Sequence, residues 1–169
     1  SFKCSHEIDD EQVVGVVPFE LKCIVTSDFI EEVVGATWNF GDGGSSTDID
    51  AKHTYETPGN YTIQVSVDGE REACGEEGWS NTFRKVGYVR ACGVPDVEFT
   101  YEHVDGLQYQ LLNETNVAVY GCIQDILWEV YAGESATGTP IQTVQAWEPK
   151  IEFPEEGMYT VVANVGGYA

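Results

Sequence analysis

The feature that most constrains this 169-residue chain is an internal repeat of two short blocks. Residues 38–43, WNFGDG, align with residues 128–133, WEVYAG, and residues 55–62, YETPGNYT, align with residues 153–160, FPEEGMYT. The copies are offset by 90 residues in the first block and by 98 in the second, so the intervening loop is longer in the second copy. Self-similarity of this kind indicates two copies of one folding unit in tandem.

Both copies have the pattern of β-structure. Residues 61–67 alternate apolar side chains with Thr, Gln and Ser, which is the period of a strand with one buried face. Further predicted strands, rich in Val, Ile, Thr and aromatic residues, are PFELKCIVT, ATWNF, TFRKVGYVR, LQYQLLNET, DILWEVY, PIQTVQAW and MYTVVANV. Only DEQVV and DFIEEVV look helical, and both are short. The sequence therefore predicts an all-β chain of two tandem sandwiches, residues 1–93 and 94–169, with Trp38 and Trp128 at equivalent core positions.

Two separated motifs in the first copy carry a family resemblance. WNFGDGGSS, which begins at Trp38, is followed by HTYETPGNYTIQVSV, which begins at His53. Their order and distance are similar to the signature of the polycystic kidney disease (PKD) domain, W-[DN]-F-G-D-G, then H-x-Y, then P-G-x-Y-x-V. The second copy lacks the Gly-Asp pair and the histidine, so it resembles a degenerate PKD or related immunoglobulin-like domain. The resemblance implies seven-stranded sandwiches with extracellular adhesive, spacing or polysaccharide- and protein-binding roles, and no catalysis.

The glycine cluster of the first motif has three interpretations. A phosphate-binding loop needs a helix N-terminus after it and usually a Lys. Here an acidic loop comes after the cluster and no Lys appears until Lys52, so phosphate binding is excluded. A structural turn is the favoured interpretation, with Gly41 and Gly43 at positive φ and Asp42 accepting hydrogen bonds from nearby backbone N–H groups. Calcium is the alternative, because Asp42, Asp48 and Asp50 share one loop, although their spacing is not that of an EF-hand. No cofactor is required by any motif, and a solvated acidic surface is the simpler explanation of such a cluster.

The charge of the chain excludes two classes of partner. Eight basic residues stand against 29 acidic residues, which gives a net charge of −21. Nucleic acids and anionic membranes are bound through Lys and Arg, so we expect neither nucleic-acid binding nor membrane insertion. No apolar run approaches the ~20 residues that span a bilayer, and the first residues lack the apolar region of a signal peptide. If the protein is secreted, we expect this sequence to be the mature chain or a piece of it.

Five cysteines without a CxxC pair predict disulfides rather than a zinc or thioredoxin-type site. A Cys4–Cys23 bridge would join the first two strands, and a Cys74–Cys92 bridge would close the long loop before the last strand of the first copy. Each bridge would contribute ~3 kcal/mol by restricting the unfolded chain. This pairing leaves Cys122 unpaired, and Cys92–Cys122 is the competing alternative. Disulfides indicate an oxidising, extracellular compartment.

Surface recognition has two further candidate signals. Sequons begin at Asn60 and Asn113, and N-glycosylation at either would fit an extracellular or cell-surface location. Trp79 and Trp147 are candidate binding aromatics that could stack on a sugar ring or on a neighbouring protein. The competing interpretation is that each tryptophan closes the end of its own sandwich.

No pattern in the sequence indicates an enzyme. The chain has three histidines and lacks the G-x-S-x-G, H-E-x-x-H and S-x-x-K motifs. We therefore predict a non-catalytic extracellular structural or adhesive protein, a subunit of a fibre or surface assembly. The alternative is an accessory spacer or carbohydrate- or protein-binding module of a larger secreted enzyme. The expected partners are other copies of the chain or other extracellular proteins, with glycans as further candidates.

The two copies differ in the length of chain after their second motif. In the first copy 31 residues come after Gly59 up to and including Arg90, which closes the last predicted strand, whereas 12 residues come after Gly157 in the second copy. We therefore expect the second sandwich to lack its final strand. An open sheet edge invites another strand, so donation by a neighbouring chain would give head-to-tail assembly. The predicted donor is SFKCSHEID, residues 1–9 of a neighbouring copy.

Overall fold

The chain is described by a computed structural model, which divides into two compact units, Ser1–Gly93 and Val94–Tyr168. The described residues are 1–5, 7–8, 12–26, 33–70, 78–119 and 121–167. Strands and turns account for them, and no helix occurs among them.

The described residues of the first unit form nine strands in two sheets. The strands are β1 (Phe2–Cys4), β2 (Glu7–Ile8), β3 (Gln12–Val16), β4 (Phe19–Val25), β5 (Val33–Asn39), β6 (Ser45–Ser46), β7 (Asp50–Tyr55), β8 (Gly59–Gly69) and β9 (Trp79–Cys92). One sheet has the order β1-β4-β7 and the other has the order β2-β3-β9-β8-β5-β6. The pairing of β3 with β9 is parallel, and every other pairing is antiparallel.

The second unit repeats this plan with fewer strands. Its strands are β10 (Phe99–Asp105), β11 (Gln108–Asn113), β12 (Ile123–Ala132), β13 (Gln142–Gln145), β14 (Lys150–Glu152) and β15 (Tyr159–Gly167). One sheet has the order β10-β11-β14 and the other has the order β13-β12-β15. All of these pairings are antiparallel.

Each unit encloses its own apolar core. Trp38 and Trp128 are both fully buried, and the indole N–H of each donates to a backbone oxygen, that of Asp48 in one unit and that of Ala146 in the other. In the first unit the alternation along β8 places Ile63 on the inner face, where it is 0% exposed. The predictions of an all-β chain with two tandem immunoglobulin-like sandwiches, and of equivalent core tryptophans, are confirmed.

A tyrosine at the start of one strand fixes the correspondence between the units. The hydroxyl of Tyr61 donates to the backbone oxygen of Thr57 at 2.8 Å, and the hydroxyl of Tyr159 donates to that of Glu155 at 3.0 Å. This bond to the backbone four residues upstream is the tyrosine corner of immunoglobulin-like sandwiches. β8 and β15 are therefore the same strand of the two units.

The two short helical predictions are wrong wherever their residues are described. Val13 and Val14 lie in β3, and Val33 and Val34 lie in β5. The reason is that β-branched side chains suit a pleated surface, and pairing with β9 and β8 stabilises the extended backbone.

Candidate functional site

The glycine cluster of the first unit forms a closed structural turn. Gly41 and Gly43 have φ values of 87° and 97°, and a side chain on Gly41 would bring its Cβ within 2.6 Å of the Thr62 carbonyl oxygen. The Asp42 carboxylate accepts a hydrogen bond from the Gly44 N–H at 2.9 Å and another from the His53 ring at 2.6 Å. The turn therefore requires glycine at position 41, and the Asp42 carboxylate is hydrogen-bonded to groups of the same unit.

Hydrogen bonding sets the charge state of this turn. Burial raises the pKa of Asp42, but the hydrogen bonds from His53 and Gly44, together with attraction to the His53 ring, bring that pKa below its ordinary value of 3.8. The His53 ring also stacks on Phe40, with ring centres 4.3 Å apart, and so lies against the core. Asp42 is therefore held as a carboxylate that fastens the turn to β7.

The other two predicted calcium ligands, Asp48 and Asp50, make contacts with other residues than Asp42. Asp48 accepts the Trp38 indole N–H through its backbone oxygen and the Ser46 hydroxyl through its carboxylate, and Asp50 begins β7 on an exposed surface. Within the described residues no group of three or more His, Cys, Asp or Glu side chains is arranged to hold a metal ion. Calcium binding stays a prediction from the sequence.

The disulfides agree with the sequence prediction in part. Cys4 and Cys23 are bonded to each other across the β1–β4 pair. Cys92 and Cys122 are both disulfide-bonded, so the prediction that leaves Cys122 unpaired is wrong. Cys74, the predicted partner of Cys92, lies outside the described residues. Sequence spacing missed the state of Cys122 because the pairing of cysteines depends on their distance in the folded chain.

The candidate aromatic and glycosylation residues lie in different settings. Trp79 begins β9 and packs, partly buried, against the first core, whereas Trp147 is 54% exposed in the turn before β14. Asn60 is exposed on β8. The side chain of Asn113 accepts the Thr115 N–H at 3.1 Å. Sugar binding at the tryptophans and glycosylation of the two asparagines stay predictions.

The predicted donor strand is wrong for the part of it that is described. Phe2 and Cys4 lie in β1, which pairs with β4 of the same unit, and Phe2 is 1% exposed. Its ring packs edge-on against Trp38, with centres 5.4 Å apart. Burial in the core of its own unit stabilises the apolar Phe2 side chain. The N-terminal strand β1 is therefore part of the first sandwich.

The two units differ in how many strands pair with the strand that begins at the tyrosine corner, which is β8 in the first unit and β15 in the second. In the first unit β8 lies between β5 and β9, whereas in the described part of the second unit β15 has β12 as its single neighbour. The inward residues Ile63, Val65 and Val67 of β8 are 0–1% exposed. Their counterparts on β15, which are half-buried, are Val161, Ala163 and Val165. Within the described residues β15 is therefore an edge strand whose inward side chains are incompletely covered.

A groove of about 420 Å³ lies beside this edge. Its walls come from the two edge strands β10 and β15 and from the neighbouring strand β11 and the loop before β15. Four aromatic rings form a continuous row along it, with successive ring centres 4.5–5.9 Å apart. These rings belong to Tyr101, Tyr109, Phe153 and Tyr159. Glu155 is the charged residue that lines the groove.

The first unit shows which side chain fills the corresponding place. Phe2 on β1 and Phe99 on β10 are equivalent, because each packs edge-on against the buried tryptophan of its unit. Phe2 is covered by Tyr88 of β9, with ring centres 5.7 Å apart, and is 1% exposed. Phe99 has no such cover among the described residues and is half-buried. The groove therefore lies beside the ring whose counterpart in the first unit is covered by Tyr88 of β9.

The edge of β15 also lacks the features that protect exposed strands. Its nine residues include no charged side chain and no proline. Lys, Pro, bulges or very short length normally prevent an edge strand from pairing with another chain. The other described sheet edges either carry charged side chains, as do β1, β7, β10 and β14, or have two to four residues, as do β2, β6 and β13.

Sequence reasoning did not identify the residues of the groove. Phe99 and Tyr101 alternate with Thr100 and Glu102 in a pattern that would have predicted β10. The same pattern does not say whether the apolar face is covered. That depends on the strand opposite, which lies far away in the sequence.

The folds of both units define a class of protein, the tandem immunoglobulin-like β-sandwich modules. Residues 7–83, which lie in the first unit, match the family model of the PKD domain. Such domains are non-catalytic modules, typically of extracellular adhesive or structural proteins. No curated protein and no solved structure shows a significant match to the chain. In the described part of the chain no helix is long and apolar enough to cross a membrane.

Proposed function

We propose that this chain is a non-catalytic subunit of an extracellular or cell-surface assembly, and that its second unit accepts a strand from a neighbouring polypeptide. The PKD domain supports the first part, since such domains are typical of adhesive and structural proteins. The open edge of β15 gives the proposal its mechanism. Backbone N–H and C=O groups along an open edge are satisfied when another strand pairs with them.

The single observation that carries the proposal is the contrast between β8 and β15. Both come after a tyrosine corner, yet one is paired on both sides and the other has a described neighbour on one side. Completing the sheet would bury the half-exposed face of β15 and the aromatic row of the groove. Burial of apolar area supplies about 25 cal/mol per Å², so an inserted strand would be stabilised by the apolar surface that it covers.

Strand addition would make the assembly directional. The accepting edge lies in the second unit, and the accepted strand comes from another molecule, so each contact joins different surfaces. Where the donor is itself a subunit that accepts a strand, contacts of this heterologous type extend into a fibre or surface array unless a rotation closes them into a ring. The disulfides at Cys4, Cys23, Cys92 and Cys122 suit such a role outside the cell.

A second candidate is an accessory module that binds carbohydrate or protein for a larger secreted enzyme. The observation that favours it is the 54% exposure of Trp147, since an exposed indole can stack on a sugar ring. Soluble polysaccharides would then bind the chain, and Trp147→Ala would abolish that binding. The strand-accepting proposal expects no change in assembly from the same substitution.

A fused strand tests the proposed function directly. Residues 80–91 of β9 are placed after residue 169 through a flexible Gly/Ser linker, with a scrambled version of the same segment as the matched control. The expected result is a higher unfolding temperature of the second unit and slower hydrogen exchange of the β15 amides, neither of which the scrambled fusion gives. If the β9 fusion and its scrambled control exchange equally along β15, the second unit is not a strand acceptor.

A further inference from the structure

The groove beside β15 has a template for its occupant in the first unit. Tyr88 of β9 covers Phe2, and the Lys85 ammonium lies over both rings, 4.0 Å from the Tyr88 centre and 4.9 Å from the Phe2 centre. A cation over an aromatic face is attracted by the negative charge density of the ring. The strand that closes the first sandwich therefore brings an aromatic ring and a cation together.

β9 is unusual in this chain for its charge. It contains Arg84, Lys85 and Arg90, which are three of the eight basic residues of the protein, and it contains no acidic residue. It runs antiparallel to β8 along its length. A strand of the same kind would place its basic residues beside an acidic sandwich.

The second unit has a higher ratio of acidic to basic residues than the first. Residues 94–169 contain 12 acidic residues against one basic residue, Lys150. Glu155 lines the groove, and β10, one of the strands that form its walls, also carries Glu102 and Asp105. An acidic strand would be repelled from this surface and a basic strand would be attracted to it, so charge selects the occupant.

This chain has no cationic strand to spare among its described residues. Lys3, Lys22, Lys52, Lys150 and the three basic residues of β9 all lie in strands that are paired within their own unit. The remaining basic residue, Arg71, stands in the acidic sequence EREACGEE. The charge of the groove therefore favours a different polypeptide over the described strands of a second copy of this chain.

We infer that the groove beside β15 binds an extended, cationic segment of a different polypeptide, which runs antiparallel to β15. The segment places one aromatic side chain on Phe99 and Tyr101, and a nearby Lys or Arg over the exposed rings. Tyr101 is 67% exposed and Met158 is 64% exposed, so both are available to such a segment. This inference rests on the proposed function, since it names the chemistry of the strand that the second unit accepts.

Peptides added to the full chain test the inference. The probe is SNTFRKVGYVRA, the sequence of residues 80–91. Three matched peptides replace its three basic residues by Glu, replace its Tyr by Ser, or scramble its order. The expected result is that the probe slows hydrogen exchange of β15, and that its affinity falls with added salt. The charge-reversed and Tyr-to-Ser peptides should each bind about tenfold more weakly or worse.

Protein variants locate the binding. Tyr101→Ser removes an exposed wall of the groove and should weaken the probe by about tenfold. Trp147→Ser removes an exposed aromatic outside the groove and should leave the affinity unchanged. Both side chains are exposed, so both variants should keep the fold, which far-ultraviolet circular dichroism checks. Loss of binding in Trp147→Ser, with no effect of Tyr101→Ser, would overturn the assignment of the groove.

The remaining outcomes separate this inference from the proposed function. Equal binding of the basic and the charge-reversed peptides overturns the cationic partner, while the fused-strand experiment still decides whether a strand is accepted. Concentration-dependent self-association of the chain alone, with protection of β15, overturns the choice of a different polypeptide and retains strand acceptance. Failure of every peptide and of the fused strand overturns both.

Discussion

In the first unit β9 covers the outer edge of β8, whereas in the described part of the second unit the equivalent strand β15 is paired on one side only. The two strands share a tyrosine corner and a buried tryptophan beside them. Their inward side chains nevertheless differ in exposure, from 0–1% on β8 to half-buried on β15. Similar local sequences therefore give a covered core in one unit and an open groove in the other. The difference is the presence of β9, a strand that pairs with β8 in the first unit.

The substitution with the largest expected effect removes the Tyr88 side chain, which covers Phe2 in the first unit. Tyr88→Ala should lower the free energy of unfolding of that unit by about 3–5 kcal/mol, because Tyr88 is 1% exposed and its loss leaves a cavity beside Phe2. Urea unfolding, combined with hydrogen exchange of peptides from each unit, measures it.

The matched control is Tyr101→Ala in the second unit. Tyr101 is 67% exposed on the groove wall, so its loss should change the free energy of unfolding by less than about 0.5 kcal/mol. Equal losses in the two variants would mean that the covered and open units are packed alike, which would break the comparison.

The second test removes a covalent difference between the units. The Cys4→Ala, Cys23→Ala double variant should lower the free energy of unfolding of the first unit by about 3 kcal/mol, because the bridge closes a chain segment with a sequence separation of 19. The corresponding cross-strand pair of the second unit is Tyr101 and Leu111, which are opposed in the same way on β10 and β11. Unfolding of the second unit should therefore be unaffected in calorimetry, and a shift there would contradict the independence of the two cores.

The third test uses the turn that distinguishes the first unit. Asp42 is hydrogen-bonded to His53, while the second unit has Ala132 and Ile151 at the aligned positions. Asp42→Asn should lower the free energy of unfolding by about 1–3 kcal/mol at neutral pH, the usual range for a hydrogen bond to a charged group.

The pH dependence of this effect has a definite sign. The pKa of Asp42 in the folded chain is lower than its ordinary value of 3.8, so its stabilisation is complete above about pH 4 and is lost as the pH falls through the folded pKa. The difference between the wild-type protein and Asp42→Asn should shrink below pH 4 in urea titrations. A difference that stays constant down to pH 2 would show that the charge of Asp42 contributes nothing.

The smallest test compares the feature that the units share. Tyr61→Phe and Tyr159→Phe each remove one hydroxyl that donates to a backbone oxygen, at 2.8 and 3.0 Å. Each should cost its own unit about 1 kcal/mol, the net worth of an ordinary hydrogen bond. Thermal unfolding of both variants provides the measurement. Losses that differ by more than the experimental error would show that the open edge also weakens the corner.

Much of the fold could be predicted because it is written in short-range patterns. Alternating residues mark β8, and the aligned blocks around Trp38 and Trp128 mark the repeat. The turn at Gly41 and Asp42 is a consequence of residue chemistry, since only glycine tolerates such positive φ and Asp readily accepts nearby N–H groups. The two short helical predictions failed because strand pairing outweighs the weak helical preference of a few residues.

The candidate site could be predicted only in outline. The pattern of residues 158–165 predicted the strand β15, but it did not indicate the aromatic row that lies beside it. The donor assigned to the N-terminal segment failed because Phe2 is already packed on Trp38. Both outcomes depend on contacts between residues that are far apart in the sequence.

Local sequence was enough to assign the class of this protein: two copies of a β-sandwich, each with a core tryptophan and an acidic surface. Period and residue type decide these features, so they can be read without coordinates. Phe2 lies in the core, whereas Phe99 lines a groove. Only the tertiary structure shows this difference. The two phenylalanines have equivalent positions, and their exposure differs because burial is set by a neighbouring strand that pairs across a long sequence distance in one unit only.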